Sequence, residues 1–524
     1  MNHVRATPSP RHPAARSCRV RPPAAAARVV AAARAVAAVF IALSVTAAAA
    51  PELTAQPTPL PRGVLEIIER APHDRAHWGI AVTDAATGQT LVSHNADRLF
   101  VPASNAKLVV AAAAAHYLDP DFRYATTLES TGEIVDGVLR GDLVLRGTGD
   151  PTISGRYADD MLDIPAALAD SLRARGIRRI EGAVVADESW WDGDYVRPDW
   201  EGYDLLWWYA APVSALGFND NAIDFTIAPA SPGAPATITW RPETDFFTFV
   251  NRTTTTPAGS RSTLDFTRIA GTDTIIAYGT IAADASRHTE YFAVDDPARY
   301  TGTVLREALE RHGIAVADRT VRVLRGRSPV GPQPSDGETA PRSVLAIHRS
   351  VPLPRLIAPV LQTSQNWFAE QLLKTIGRET AGEGSWSSGL EAERRFLIDV
   401  VGVDSTAFRL RDASGLSSGN LLTPEALVRI LSYMERTPRM APAREALPVS
   451  GGRTGSLRLR LEDLAGRVAG KTGSINNVDS LSGYLTADSG RILIFAIVAN
   501  NSGQPSSSMR PVLDDIVRVL ADTY

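Results

Sequence analysis

The sequence predicts an α+β fold in which a core of helices and antiparallel strands is interrupted by a long β-rich insertion. Two strand-like segments and an alanine-rich helical segment come before residue 124. Many short alternating segments then run to residue 342, and helices return after it. Three strand-like runs and an amphipathic helix over residues 511–521 follow. Because the apolar face of a helix must be covered, we expect this last helix to pack on an antiparallel sheet.

Length and composition are those of a globular protein with several domains. The 524 residues suggest about three domains, and a 44% share of hydrophobic residues suffices for packed cores. Disordered, collagen-like and coiled-coil chains are excluded.

The first fifty residues have the pattern of a secretory signal peptide. They carry seven arginines and no acidic residue, and they end in an apolar run over residues 35–50. This run is shorter than a membrane-spanning helix and ends in small residues. We therefore expect a signal peptide at residues 1–50 and a proline-rich linker at 51–62, with an uncleaved membrane anchor as the alternative. The mature chain would be exported to the periplasm or cell envelope.

Loss of this segment changes the charge and the thiol content of the chain. Residues 51–524 carry 47 basic and 58 acidic residues, a net charge of about −11, which argues against nucleic acid as a partner. The one cysteine, Cys18, lies in the predicted signal peptide. The mature chain would then have no cysteine nucleophile, no disulfide and no cysteine-ligated zinc. We expect no metal and no cofactor.

The predicted organisation is a discontinuous core domain with an insertion. The core takes residues 63–123 and 343–524, and the insertion takes residues 124–342. The insertion is expected as one β-rich domain or as two, with the second nested near residues 230–300. In the first part of the core, a hairpin over residues 78–93 leads into an alanine-rich helix with Ser104 and Lys107 in its first turn.

Lysine is nearly absent from the chain. The 54 basic residues comprise 51 arginines and three lysines, Lys107, Lys374 and Lys471. Arginine keeps its proton in proteins, whereas a buried lysine can become neutral and act as a base. Codon bias also explains why lysine is so rare in this chain. A lysine therefore becomes a candidate catalytic residue only if the residues around it form a motif.

Two of the lysines belong to short motifs. Ser104-Asn-Ala-Lys107 is an S-x-x-K motif, and three-residue spacing on a helix brings the amine beside the hydroxyl, whose proton a neutral amine can take. Lys471-Thr-Gly473 lies in a strand-like run and precedes Ser474. This lysine can lower the pKa of Lys107 and attract a carboxylate, while Gly473 allows a substrate to approach. The Ser474 amide can donate to an oxyanion. Taken alone, the K-T-G motif would be interpreted as an exposed lysine on a strand.

A third motif, Ser364-Gln-Asn366, begins a predicted helix, where Ser364 taken alone is equally an N-cap. S-x-x-K, S-x-N and K-T-G in this order resemble the signature of β-lactamases and penicillin-binding proteins, with S-x-N in place of S-D-N. The joint occurrence of the three motifs is far more specific than any one of them.

The long β-rich insertion between the first two motifs narrows the resemblance to the class C low-molecular-mass penicillin-binding proteins, the D-alanyl-D-alanine carboxypeptidase/endopeptidase family. Further stretches are similar to this family over essentially the whole mature chain: Gly147–Pro151, Tyr209–Leu216, Asp412–Leu416 and Leu481–Tyr484. The resemblance implies a β-lactamase/DD-peptidase-like core, with an antiparallel sheet covered by helices plus an all-helical subdomain. β-rich inserted domains would interrupt this catalytic core.

The resemblance also implies a role for each catalytic residue. Ser104 is expected to be the acylated nucleophile and Lys107 its base. Ser364 would pass a proton to the leaving group, and Asn366 would hold the substrate amide and Lys107. The side chain of Gln365 would point away from the chemistry.

Substrate binding is expected to involve the third motif and one residue of the insertion. The resemblance implies that Lys471 and Thr472 bind the terminal carboxylate, next to Gly473. The amides of Ser104 and Ser474 would form the oxyanion hole, although the family more often has threonine at position 474. Asp187 resembles a residue that faces the diamino-acid side chain of the substrate, and a surface acid is the alternative.

The implied enzyme is a serine-type D-Ala-D-Ala carboxypeptidase that acts on peptidoglycan stem peptides through an acyl-enzyme. DD-endopeptidase activity is left open. β-Lactam antibiotics would be covalent inhibitors. A β-lactamase with unusual inserts and a non-catalytic peptidoglycan-binding scaffold are the alternatives, and the oligomeric state is unknown.

Other polar patterns are better explained by structure than by chemistry. Lys374 follows Glu370 by four residues, a favourable spacing for a helix ion pair. The segment 415–419 matches the nucleophile-elbow pattern, but no apolar strand precedes it, so we expect a turn. His73 and His77 have the spacing of a zinc pair but lack its catalytic glutamate.

Overall fold

The computed structural model describes residues 59–327 and 342–524. The predicted signal peptide, Cys18 and most of the predicted linker lie outside these residues. Within them, no helix combines the length and hydropathy that a membrane-spanning helix needs.

The described residues contain helices and strands in similar measure, which confirms the predicted α+β class. The α-helices are, in chain order, α1 Arg62–Ile68, α2 Lys107–Tyr117, α3 Asp163–Ala174, α4 Pro297–Arg311, α5 Leu353–Gln362, α6 Asn366–Ala381, α7 Trp386–Arg395, α8 Pro424–Arg436, α9 Ala441–Glu445 and α10 Ser506–Thr523.

The strands of the first half are β1 His77–Asp84, β2 Thr90–His94, β3 Ala125–Ser130, β4 Glu133–Val135, β5 Val138–Arg140, β6 Leu143–Arg146, β7 Arg179–Ile180, β8 Val184–Asp187, β9 Ala222–Ala228, β10 Thr237–Arg241 and β11 Thr248–Thr256. Those of the second half are β12 Asp265–Arg268, β13 Thr274–Ala282, β14 His288–Ala293, β15 Ala315–Val316, β16 Val321–Leu324, β17 Ser343–Arg349, β18 Phe408–Arg409, β19 Leu421–Leu422, β20 Val468–Ile475, β21 Val478–Thr486 and β22 Ile492–Asn500.

A five-stranded antiparallel sheet, in the order β2-β1-β22-β21-β20, joins the predicted hairpin to the last strands. Alternate residues of a strand point to opposite faces of its sheet. In β22, Leu493 and Phe495 therefore enter the core formed with α1 and α10, whereas Ile494 and Ala496 enter the core formed with the other helices. Burial on both faces explains why this strand is a continuous apolar run.

Helix α2 lies within the core on the second face of this sheet, among α5, α6 and α8, and α8 packs directly on β22 and β1. Its residues from Lys107 to Ala115 are all buried. A helix without a polar face must be enclosed on all sides, and the run of alanines lets its neighbours approach closely. The sequence predicted Ser104 in the first turn of this helix. In the structure, Ser104 lies in a 3₁₀ turn at Ala103–Ala106 that runs directly into the helix.

The β-rich region forms four further sheets within residues 125–327 and 343–349. Their strand orders are β16-β8-β6-β3-β17, β15-β7-β5-β4, β10-β9-β14 and β11-β13-β12. They surround two buried cores, one beneath α3 and α4 and one rich in aromatic residues. Strand β17 pairs with β3. Because of this pairing, the β-rich region extends to Arg349. The limits of the inserted domains stay a prediction.

Lys374 on α6 is fully buried, but it does not pair with Glu370. Its Nζ donates to Asp192 Oδ1 at 2.6 Å and to the Asp194 carbonyl oxygen at 2.5 Å. It also lies 4.0 Å from the ring centroid of Trp386. The predicted helix ion pair is wrong because both side chains point into the protein, where each meets partners from other segments. Lys374 ties α6 to the loop that follows β8.

We expect Lys374→Met to lower the free energy of unfolding by about 3–5 kcal/mol, because it leaves the Asp192 carboxylate without its buried cation. Urea denaturation followed by circular dichroism measures this. Arg429→Met is the control, since Arg429 and Glu425 are both about half exposed and such a pair contributes less than about 1 kcal/mol. Equal effects of the two substitutions would contradict the structural role of Lys374.

Candidate active site

Lys107 lies at the centre of the predicted site and touches three groups from distant parts of the chain. Its Nζ is 2.9 Å from Ser104 Oγ, 2.6 Å from Asn366 Oδ1 and 2.5 Å from the Ser414 carbonyl oxygen. The lysine side chain is completely buried. The first two predicted motifs therefore meet at one amine.

Both lysines of the site are shifted toward the neutral form. Burial lowers the pKa of Lys107 to about 7, although the charges of Asp412 and Glu370 act in the opposite direction. Burial, followed by the positive charge of Lys107, holds the pKa of Lys471 well below its usual range. Two buried amines near each other cannot both keep a proton cheaply, because each disfavours the charge of the other.

Lys471 on β20 connects the K-T-G motif to the S-x-N motif. Its Nζ donates to Ser364 Oγ at 2.8 Å and to the Thr472 carbonyl oxygen at 2.7 Å. Ser364 is not the N-cap of α6, because that position is taken by Gln365 and no side chain caps the helix. Ser364 instead has a φ of 60°, a left-handed conformation that is strained for serine and that persists only when the surroundings hold it.

Asn366, the first residue of α6, has both ends of its amide engaged. Its Oδ1 accepts from Lys107, and its Nδ2 donates to the Tyr209 carbonyl oxygen at 2.7 Å. The insertion thus orients an active-site amide.

The turn that carries Ser104 is fastened to the sheet. Asn105 is fully buried, and its Nδ2 donates to Ser480 Oγ, which donates in turn to the Pro102 carbonyl oxygen at 2.8 Å. A Cβ atom at Gly473 would lie 2.4 Å from Ser480 Oγ and 2.9 Å from Ser104 N. Only glycine at this position lets strand β20 lie against the nucleophile turn.

A cleft of about 400 Å³ opens in front of Ser104, and Asn366 and Ser474 line it. Its wall also contains Tyr209, the first residue of a family-like stretch, and three residues that the sequence did not single out: Asp199, Glu201 and Asp204. These three make the wall acidic. Of the other third-motif residues, Thr472 donates through Oγ1 to Ser456 Oγ at 2.8 Å.

Asp187 lies apart from these groups, at the end of β8. It is 2% exposed, so the alternative of a surface acid is wrong. Its Oδ1 accepts from Ser189, and its Oδ2 accepts from Arg342 at 2.6 Å. The two oxygens are thus engaged within the insertion, and a role in substrate binding stays a prediction.

The loop over residues 412–417 holds Lys107 from the far side. Asp412 accepts from the backbone amides of Gly415 at 2.8 Å and Ser417 at 2.7 Å, which closes the loop around its carboxylate. A turn was predicted here, and the loop contains no nucleophile elbow. A Cβ atom at Gly415, whose φ is 78°, would lie 1.9 Å from the Ala103 carbonyl oxygen.

Glu370 fixes the same loop and was missed as a site residue. Its Oε1 accepts from the Ser414 amide at 2.8 Å and its Oε2 from Trp386 Nε1 at 2.8 Å. Burial, with the nearby charge of Asp412, raises the pKa of Glu370 to about 7. The carbonyl of Ser414 accepts from Lys107. Glu370 therefore positions the Lys107 amine indirectly, by holding Ser414 in place. The one signal in the sequence was the family-like stretch at residues 412–416.

The histidine pair lies elsewhere. His73 is part of a 3₁₀ turn and His77 begins β1. Within residues 59–327 and 342–524, no group of three or more His, Cys, Asp and Glu side chains has the geometry of a metal site.

A serine hydroxyl bonded to a buried amine of lowered pKa, beside a second serine bonded to a second lysine, has the chemistry that a serine acyl-transfer site needs. In such an arrangement a lysine can take the place of histidine in activating a serine nucleophile.

The model of the D-Ala-D-Ala carboxypeptidase 3 (S13) family matches residues 62–522. The chain belongs to this family of serine peptidases, and the predicted enzyme class, a serine-type D-Ala-D-Ala carboxypeptidase, is confirmed.

Individual relatives agree with the family. The chain is 35% identical over 464 residues to the D-alanyl-D-alanine carboxypeptidase of Actinomadura sp. (strain R39), covering 86% of this chain and 82% of that protein. It is similar in structure to penicillin binding protein 4 (dacB) from Haemophilus influenzae, with a TM-score of 0.74 and 24% identity over 87% of this chain and 98% of the other. A second structure of that protein holds a novel β-lactam and has a TM-score of 0.69. The predicted DD-peptidase-like fold is confirmed.

We expect Glu370→Gln to lower kcat for D-alanine release by about tenfold to a hundredfold, because small displacements in an active site are costly. The glutamine places an N–H group against the N–H of Ser414 or of Trp386, where the carboxylate accepted a hydrogen bond. The two donors repel each other, so the Ser414 carbonyl that accepts from Lys107 should shift. Loss of the carboxylate also removes a charge that raises the pKa of Lys107, so the pH profile should move to lower pH.

Glu393→Gln is the matched control for this substitution. Glu393 is 1% exposed, and neither carboxylate oxygen has a hydrogen-bond partner within the described part of the chain. Burial raises the pKa of Glu393 well above its usual range, which favours the neutral acid that glutamine resembles. An unchanged kcat and pH profile in Glu370→Gln, or equal losses in both variants, would refute the positioning role.

Proposed function

We propose that Ser104 is the acylated nucleophile of this carboxypeptidase and that neutral Lys107 is its general base. The observation that supports this most strongly is the set of partners around Lys107. A neutral amine has two N–H donors and one lone pair. The oxygens of Asn366 and Ser414 can only accept, so they take both donors. The lone pair then faces Ser104 Oγ, the one partner that can donate.

The acylation step follows from this arrangement. Ser104 Oγ attacks the carbonyl carbon of the penultimate D-alanine while its proton moves to Lys107 Nζ. The C–O bond forms, and the carbonyl becomes an oxyanion that the amides of Ser104 and Ser474 stabilise. When the C–N bond breaks, the leaving nitrogen takes a proton from Ser364, and the proton that Lys107 took from Ser104 replaces it, so that Lys107 is neutral again. Water then attacks the acyl-enzyme and gives a proton to Lys107, and this proton returns to Ser104 Oγ as the shortened peptide is released.

Ser364 suits this proton transfer because of its bond to Lys471. Its Oγ accepts from Lys471 Nζ at 2.8 Å, so its own hydrogen is left to point at the leaving nitrogen. The same lysine, with Thr472, binds the carboxylate of the terminal D-alanine. A buried amine gains from a carboxylate that restores its charge.

The substrate that we propose is a peptidoglycan stem peptide ending in D-Ala-D-Ala. Asp199, Glu201 and Asp204 line the same cleft as Asn366 and Ser474, which favours a stem peptide with a free amino group on its diamino acid. β-Lactams would acylate Ser104 as substrate mimics, in line with the β-lactam complex of the H. influenzae relative. Such a substrate requires export, and the N-terminal pattern supports a signal peptide.

Penicillin labelling alone does not distinguish this peptidase from a β-lactamase, since both enzymes acylate. The quantity that separates them is deacylation: an adduct lasting minutes marks a peptidase, whereas turnover of penicillin within seconds marks a lactamase. A non-catalytic scaffold would release no D-alanine from a muropeptide.

We expect fluorescent penicillin to label the wild type, with the mass increase on Ser104, and to leave Ser104→Ala unlabelled. Lys107→Arg should abolish labelling in folded protein, because a guanidinium stays protonated at any accessible pH and cannot act as the base. Labelling detected by gel fluorescence and intact mass checks both. Retained labelling in folded Lys107→Arg would overturn the proposed base.

The rate of acylation should rise with pH through about 7. A base works only when neutral, and burial lowers the pKa of Lys107 to about 7, so the neutral fraction grows as pH passes that value and levels off above it. Stopped-flow acylation by a chromogenic cephalosporin between pH 5 and 9 measures the profile. A rate that falls from pH 6 to pH 8 would exclude neutral Lys107.

A further inference from the structure

A groove of about 470 Å³ lies on the β-rich region, next to the catalytic cleft. Residues of β12 and β14 line it together with four aromatic residues of one short segment: Tyr203, Trp207, Trp208 and Tyr209. We call it the aromatic groove. The proposed acylation mechanism makes no use of it.

The exposed aromatic side chains of this protein are gathered at this groove. Within the described part of the chain, three aromatic side chains are more than 40% exposed: Tyr203 at 55%, Tyr291 at 43% and Tyr278 at 41%. Tyr203 lines the groove, and the Tyr278 hydroxyl donates at 3.3 Å to Asp265, which also lines it. The ring of Tyr291 meets that of Trp208, with centroids 6.5 Å apart. Because burial of aromatic surface is strongly favourable, such a gathering on the surface marks a binding site.

The aromatic rings of the groove are held from behind. Trp207 packs edge to face on Phe266 and Phe292, with centroids 6.4 and 5.9 Å away, and its backbone forms a β-bridge with Phe292. Both phenylalanines belong to the buried aromatic core of the region. Tyr203 lies against Trp207, at 6.1 Å between centroids. A preformed surface of this kind binds a ligand with little loss of side-chain entropy.

Polar groups with spare hydrogen-bonding capacity lie beside these rings. Asp265 accepts from the hydroxyls of Tyr203 and Tyr278, each at 3.3 Å. His288 Nε2 lies 3.8 Å from Glu290 Oε1, and both side chains are nearly half exposed. These contacts are longer than a good hydrogen bond. The carboxylates of Asp265 and Glu290 can therefore accept from the O–H and N–H groups of a ligand.

A sugar ring matches both parts of this surface. One face of a pyranose presents C–H groups, which pack on an aromatic ring, while its hydroxyl and acetamido N–H groups donate from the edge of the ring. One ring thus fits an aromatic face and a carboxylate together. A peptide would have to match them with separate side chains.

The position of the groove indicates which sugar it meets. Tyr209 lines both the groove and the catalytic cleft, and its hydroxyl donates at 2.9 Å to Asp204, another residue of the cleft. Lys471, which is proposed to bind the carboxyl end of the stem peptide, is fully buried. The carboxyl end therefore lies deepest. The amino end, which joins a stem peptide to the N-acetylated amino sugars of the glycan, lies toward the rim that the groove shares.

We propose that the aromatic groove binds the glycan strand of peptidoglycan, by stacking of an N-acetylated amino sugar on Tyr203 and hydrogen bonds to Asp265 and Glu290. This inference rests on the proposed function. It makes the enzyme act preferentially on stem peptides that are still attached to glycan. Because the glycan is remote from the reacting bond, its contacts are the same in the ground state and the transition state, so they lower KM and leave kcat unchanged.

The test measures D-alanine release from two substrates, a free pentapeptide ending in D-Ala-D-Ala and the same pentapeptide attached to a glycan strand. We expect the wild type to have a kcat/KM about tenfold higher for the glycan-attached substrate, through KM. Tyr203→Ala and Glu290→Ala should each raise KM for this substrate by about fivefold to tenfold, the scale of one lost aromatic or polar contact. Release from the free pentapeptide should stay within about twofold of the wild type, because neither residue lines the catalytic cleft.

Ile347→Ala is the matched control for Tyr203→Ala. Ile347 is 51% exposed and lies on β17 of the same β-rich region, but it does not line the groove. We expect both substrates to be cleaved as by the wild type.

A second measurement needs no catalysis. Glycan strands freed of their peptides by an amidase are mixed with the protein, and saturation-transfer NMR follows the sugar signals. The signals should respond to the wild type and to Ile347→Ala, and the response should be lost with Tyr203→Ala, in which the stacking ring is absent.

The outcomes separate this inference from the proposed function. A wild type that is not acylated by penicillin and releases D-alanine from neither substrate contradicts the proposed function itself. A wild type that cleaves both substrates equally well, or does not bind the peptide-free strands, overturns the inference alone. The inference also fails if Tyr203→Ala weakens cleavage of the free pentapeptide as much as that of the glycan-attached one, since the groove would then bind the peptide.

Discussion

The burial of one amine, that of Lys107, is the constraint on which the rest of the site depends. An ammonium ion loses its hydration inside a protein, so the proton becomes easier to remove. Lys107 is completely buried at the start of the enclosed helix α2, and its amine donates to the carbonyl of Ser414 and to the side-chain oxygen of Asn366. Those two acceptors come from separate segments, so the catalytic geometry requires that α2, α6 and the loop at 412–417 all be packed.

The β-rich region is part of this geometry and not an appendage to it. The carbonyl of Tyr209 orients Asn366, and Asp192 holds Lys374 on the same helix, α6. The acidic residues of the catalytic cleft and the lining of the aromatic groove also come from this region. The groups proposed for acylation therefore lie outside this region, whereas the acidic wall of the cleft comes from it.

Two interpretations from local sequence were wrong because the residues had more than one possible role. The alternative of Ser364 as an N-cap does not hold, because its hydroxyl accepts from Lys471 and Gln365 takes the N-cap position. Glu370 and Lys374 have ideal spacing for a helix ion pair, but α6 is buried and each finds a stronger partner in another segment. Spacing rules describe exposed helices, on which neighbours along the chain are the main available partners.

The sequence by itself determined the class of the enzyme. Three ordered motifs, two of them holding lysines in a chain almost without lysine, indicated a Ser-Lys acyl-transfer site, and the long insertion narrowed the family. Only the tertiary structure decided which groups surround Lys107, that Glu370 and Asp412 hold the loop behind it, and that an aromatic groove borders the catalytic cleft. The physical reason is that motifs record local chemistry, whereas hydrogen bonds between residues hundreds of positions apart exist only once the chain has packed.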